Sequence, residues 1–83
     1  MSPAEFKRIR EKLDLSQAEL AEILGLSGRV VVAHYEGGNR NPSALSVAVM
    51  RLFDELPEKK SVWLRESILN YVRREKKTKR RDS

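Results

Sequence analysis

Leu15-Ser16-Gln17-Ala18-Glu19-Leu20-Ala21-Glu22-Ile23-Leu24-Gly25-Leu26-Ser27 is the stretch on which the fold turns. Ser16 followed three residues later by Glu19 is a capping box. The hydroxyl can accept from an orphan amide of the first helical turn while the carboxylate reaches back to the cap. Leu20, Ala21 and Leu24 follow at core spacing, and Gly25 can take the left-handed conformation that ends a helix. The pattern predicts helix 2 over about 16–24. A third helix then opens with Ser27 or Gly28 at its cap and runs to about Glu36, where Gly37-Gly38-Asn39 stops it. Two short helices joined by a tight, glycine-containing turn make a helix-turn-helix pattern. Ala21 keeps the contact between the two helices thin, and Leu26 plugs the turn from below. The third helix can then project its N-terminal half, and the DNA major groove is wide enough to admit one.

Outward from this centre the punctuation stays helical. Ser2-Pro3-Ala4-Glu5 offers an N-cap serine, a proline at the first helical position and a glutamate able to reach back, so helix 1 is predicted over about 3–12 with Phe6, Ile9 and Leu13 on one face. Pro42-Ser43 opens helix 4, with Leu45, Val49, Leu52, Phe53 and Leu56 read as its buried stripe. Pro57 breaks the chain, and helix 5 is predicted over about 58–75, with Leu64, Ile68, Tyr71 and Val72 on one face and Trp63 to the side. Strand signals are nearly absent, and Val30-Val31-Val32 is too short to make one. The expected architecture is all-α with five helices. A helix-turn-helix core occupies 1–56, a C-terminal amphipathic helix 57–75, and a basic disordered tail 76–83.

Composition narrows the chemistry. The 83 residues allow one small domain of the size that often leans on a partner subunit. There is no Cys and a single His, which leaves no set of thiolates or imidazoles for a metal. No Gly-rich phosphate loop and no carboxylate pair in an apolar setting is present, so an enzyme is not expected and neither is a cofactor. No apolar run reaches membrane-spanning length, and the N-terminus is too charged for a signal peptide, which points to the cytoplasm. Residues 1–72 hold 10 Lys/Arg and 10 Asp/Glu, whereas 73–83 hold 7 against 2, so the tail supplies the whole net charge of +5. A basic tail suits a polyanion, although it can equally be a solvated segment.

The 15–27 stretch, followed by Tyr35-Glu36-Gly37-Gly38-Asn39-Arg40-Asn41-Pro42-Ser43, resembles the Xre/Cro/cI repressor family. That family's pattern reads LSQxxLAxxLGxS, a recognition helix, then (Y/W)ExGxxxP. The resemblance covers 4–56 and implies a lambda-repressor-like domain. From Gly25 to Glu36 the chain carries one residue more than the family spacing, at Ser27-Gly28, which lengthens the turn and can shift base contacts by one position. Within the family, Met50–Pro57 is similar to the DNA-binding half of some type II antitoxins. The Gly25–Val30 turn is similar to small phage autorepressors.

Arg29, in the first turn of helix 3, can give two hydrogen bonds to a guanine edge. Val30 and Val31 can meet thymine methyls, or one of them is core if the helix is rotated. His34, on the same side as Val30, can meet a base edge or a phosphate. Val32 and Tyr35 match apolar family positions and are assigned to the core. Glu36 is assigned a structural bond, since phosphates would repel it. The resemblance implies that Gln17 touches a phosphate and braces the recognition helix. Ser27, the loop residues Asn39, Arg40 and Asn41, and Ser43 at the helix 4 N-terminus are further phosphate candidates. Trp63, Leu64, Ile68, Tyr71 and Val72 read as a homodimer seam, or as the face by which helix 5 packs on helices 1 and 4. The expected function is a dimeric transcriptional autorepressor, nucleoid-associated, that occupies an inverted repeat in double-stranded DNA. The alternative is an antitoxin that neutralises a toxin or other protein, with DNA binding as its regulatory arm.

Overall fold

Three serines start three of the helices. Ser2 Oγ accepts from the Glu5 amide at 3.1 Å, and Ser43 Oγ accepts from the Ser46 amide at 3.1 Å. Ser16 Oγ accepts from the Glu19 amide while the Ser16 amide donates to Glu19 Oε1, each at 3.0 Å, completing the capping box. The computed structural model describes residues 1–82, with side chains for residues 1–76. Its elements are α1 (Pro3–Lys12), α2 (Gln17–Ile23), α3 (Arg29–Gly37), α4 (Ala44–Glu55) and α5 (Glu58–Asp82), with no strand among the described residues. The fold is therefore all-α with five helices, as expected. The tail expected over 76–83 lies, beyond Lys76, outside the residues whose side chains are described. No described helix is long and apolar enough to cross a membrane.

The stops of α1, α2 and α3 share one device. Gly25 (φ +70°) and Gly38 (φ +80°) are left-handed, and so is Asp14 (φ +58°), which ends α1 without a glycine. After each, an amide reaches back five residues. Leu15 donates to the Arg10 carbonyl at 3.2 Å, Leu26 to Ala21 at 2.8 Å and Asn39 to His34 at 2.9 Å. Each such bond satisfies a carbonyl that the helix end would orphan.

The core joins Phe6 and Ile9 of α1 and Leu13 at its C-cap, Leu20, Ala21 and Ile23 of α2, Val32 and Tyr35 of α3, and Met50 and Phe53 of α4. Phe6 and Tyr35 meet edge to face with centroids 5.6 Å apart. Two expectations are corrected. Glu5 does not reach back to Ser2; its Oε1 lies 3.6 Å from Arg51 Nη2 instead. The buried line of α4 is Ser46, Met50 and Phe53, while Leu45 is 73% and Leu52 46% exposed. Ser46 donates its amide to the Ser43 cap and accepts from the Ser43 hydroxyl at 3.1 Å, so a serine can sit inward, fully satisfied. That rotates the helix by one residue from the face its leucines suggest.

Helix α5 packs against α2 and α4. Buried Ser61 donates to the Phe53 carbonyl at 2.9 Å, and Arg65 Nη1 donates to the Leu13 carbonyl at 2.7 Å. Arg73 forms a two-pronged pair with Glu22 at 2.8 and 3.2 Å. Leu64, Ile68 and Leu69 are half-buried against the core. The main packing partners of α5 are thus α2 and α4, and α1 meets it at the Leu13 carbonyl of its C-cap.

Candidate nucleic-acid interface

Successive residues of α3 step by 100°. Val32 and Tyr35 point inward, and Val31 sits at the boundary, half-buried against the core. The outer face is left to Arg29, Val30, Ala33, His34 and Gly37, with Val30 54% exposed. A valine between an arginine and a histidine thus stays more than half open among the described residues. The cap of α3 is Gly28, in extended backbone and with no side-chain bond to the helix, so Ser27 lies in the turn, exposed.

What aims this helix is a polar hub at its far end. Glu36 is almost fully buried, and its carboxylate accepts from Arg10 Nε at 2.6 Å and Arg10 Nη2 at 3.1 Å. Gln17 Nε2 donates to the same carboxylate at 3.1 Å, and Arg10 Nη1 donates to the Leu15 carbonyl at 2.8 Å. One carboxylate thus ties α1, the start of α2 and the end of α3 together. The bond from Glu36 holds the Arg10 guanidinium charged above its already high ordinary value, against the opposing effect of burial. Glu36 is the only acid of α3, so the exposed face carries no carboxylate.

The Asn39 and Arg40 amides both donate to the His34 carbonyl, at 2.9 and 3.3 Å. The 39–41 loop therefore has those two amides committed, and it offers its exposed side chains outward. Ser43 Oγ is likewise engaged as a cap, which leaves the α4 backbone as the group it could present. The sequence-derived residues fall into two sets. Arg29, Val30 and His34 share the outer face of α3, with Asn39, Arg40 and Asn41 in the loop that follows it. Gln17 is turned to the hub, and Trp63 and Tyr71 stand exposed on α5. Two residues were missed. Ala33 sits one turn from Arg29 and Val30, where a small side chain permits close approach; its i+4 and i+3 spacing was the available signal. Arg10 was missed because its partner lies 26 positions away.

The fold is a small all-α helix-turn-helix domain. The chain belongs to the MqsA antitoxin family: the model for the antitoxin component of the bacterial toxin–antitoxin system, MqsA, matches residues 1–62. Antitoxin MqsA of Escherichia coli (strain K12) is 34% identical over 58 residues, which is 70% of this chain and 44% of that protein. The chain thus spans less than half the length of that relative. No solved structure matches. The family shown is an antitoxin family, in line with the alternative reading.

Proposed function

We propose that the chain is a DNA-binding antitoxin. Its helix-turn-helix arm occupies an inverted repeat in double-stranded DNA as a dimeric autorepressor, and a toxin is its protein partner. The observation that carries the DNA half is the outward, acid-free face of α3, with Arg29 and Val30 exposed, His34 half-buried beside them, and the helix fixed from behind by the Arg10–Glu36–Gln17 hub. In this reading Arg29 and Val30 read bases, with Val31 at the edge of the contact. Ser27, Asn39, Arg40, Asn41 and the α4 start hold phosphates, which fix register without reading sequence. Gln17 acts through Glu36. Exposed Trp63 and Tyr71 support a two-fold seam on α5, flanked by Leu64, Ile68 and Val72. The family supports the toxin half. Occupying a site needs no cofactor and no catalysis, and the setting is the cytoplasmic nucleoid.

The test is anisotropy titration of the chain against the duplex upstream of its own gene and a scrambled duplex, at several salt concentrations. Preference for the promoter, weakening steeply with salt, supports the reading. Equal, weak binding to both overturns its DNA half.

A further inference from the structure

A groove of about 730 Å³ runs between the α1–α2 junction, the end of α4 and α5, within the ~300–1,000 Å³ typical of ligand-sized clefts. Its apolar lining includes Leu13, Leu15, Ile23, Phe53, Leu56 and Leu69, and Val62, 36% exposed, stands at its side. Carboxylates dominate the charged lining: Asp14, Glu19, Asp54, Glu58 and Glu66. The cations among the lining residues are Lys12 and Arg65. Lys12 Nζ is engaged by Asp54 Oδ1 at 2.6 Å, and Arg65 by the Leu13 and Ser61 carbonyls at 2.7 and 3.3 Å. The groove therefore presents a surplus of negative charge around an apolar floor, on a chain whose net charge is +5.

We infer that this groove is a docking site for a segment of a partner protein that carries apolar anchors flanked by Lys or Arg. The carboxylates exclude a nucleic-acid backbone by like-charge repulsion. The chain's own basic end, Arg73-Arg74-Glu75-Lys76-Lys77-Thr78-Lys79-Arg80-Arg81-Asp82-Ser83, has the charge but no apolar side chain for the floor. A basic amphipathic segment satisfies both the floor and the rim, in the manner of a helix laid into an apolar groove. None of the lining residues belongs to α3 or the 39–43 loop, so groove and DNA face are separable by mutation. The inference deepens the partner half of the proposed function and rests on it.

The test uses the isotope-labelled full chain and two synthetic helical peptides of about 14 residues, with identical leucine stripes and either Lys or Glu elsewhere. The Lys peptide should shift the amides of Leu15, Val62, Glu66 and Leu69 and bind at least 10-fold more tightly than the Glu peptide. V62K/E66K should cut its affinity about 10-fold or more. Should the double variant melt early, the exposed single change E66K should still weaken binding severalfold. Shifts centred on Leu45 and Leu52 or on Trp63 and Tyr71, equal binding of both peptides, or unchanged binding by the variants would overturn the inference. Promoter titration on the same samples keeps the two readings apart. In the unsubstituted chain, absence of Lys-peptide preference with retained promoter preference sinks the groove alone, and peptide preference without promoter preference sinks the DNA reading alone.

Discussion

Arg10 Nε lies 2.6 Å from Glu36 Oε2, joining the end of α1 to the last turn of α3 through a contact almost closed to water. Breaking a buried pair by removing one partner strands the other charge, which costs about 3–5 kcal/mol. Glu36→Ala should fall near the lower figure, because the Arg10 side chain keeps 12% of its exposure. Replacing both partners by apolar residues, as in Arg10→Met with Glu36→Leu, should recover much of the loss. Urea unfolding of the two singles and the double gives the coupling directly, and additive losses would deny the pair any role.

The Arg29 side chain makes no hydrogen bond among the described residues, so its removal should be silent in stability and visible in binding. Arg29→Ala is expected to keep the melting temperature of the parent. If it reads a base, it should lose about 1–3 kcal/mol of discrimination between promoter and scrambled duplex. A uniform loss on both duplexes would move Arg29 from base to phosphate contact.

The corrected register of α4 separates its apolar residues sharply. Met50 is wholly buried, and Met50→Ala should cost about 2–5 kcal/mol, whereas Leu45→Ser at a 73% exposed site should stay within about 0.5 kcal/mol. Thermal melts of the two variants decide it. A large loss at Leu45 would restore the face read from the leucines.

Glycines at the helix-turn-helix turn should respond oppositely. Gly25 has φ +70°, where a Cβ strains the backbone, so Gly25→Ala should cost about 1 kcal/mol or more. Gly28 is extended, and an added Cβ there meets nothing within 4 Å, so Gly28→Ala should be neutral or mildly stabilising. Chemical denaturation of both variants provides the comparison.

Acid should loosen the chain through three carboxylates. The backbone amide of Ser16 holds Glu19 below its ordinary 4.5. The Arg73 guanidinium does the same for Glu22, and the Lys12 ammonium holds Asp54 below 3.8. A carboxyl depressed in the folded state stabilises fully above its unfolded value and loses that stability as pH falls through the folded one. Melting temperature should therefore be insensitive to these groups above about pH 5 and fall below about pH 4.5. Because the pairs are exposed, the fall should be modest, and Glu22→Gln should make it shallower.

Local chemistry wrote much of this protein into its sequence. Serine caps, the Ser16–Glu19 box and the stops at Gly25 and Gly38 act within a turn of their own positions, so five helices and the helix-turn-helix could be read directly. Val32 and Tyr35 as core came from the match to the family's apolar positions, and Glu36 as a structural residue from the repulsion between a carboxylate and phosphates. Other features waited for the tertiary structure. The stop at Asp14 needed a left-handed residue with no compositional flag. Which stripe of α4 faces inward depended on a satisfied serine at Ser46 rather than on hydropathy. The choice of Glu36's partners, the seating of α5 on α2 and α4, and the acid-rimmed groove join residues far apart in the chain. Periodicity within one helix says which side is apolar, but only packing between helices decides what that side meets.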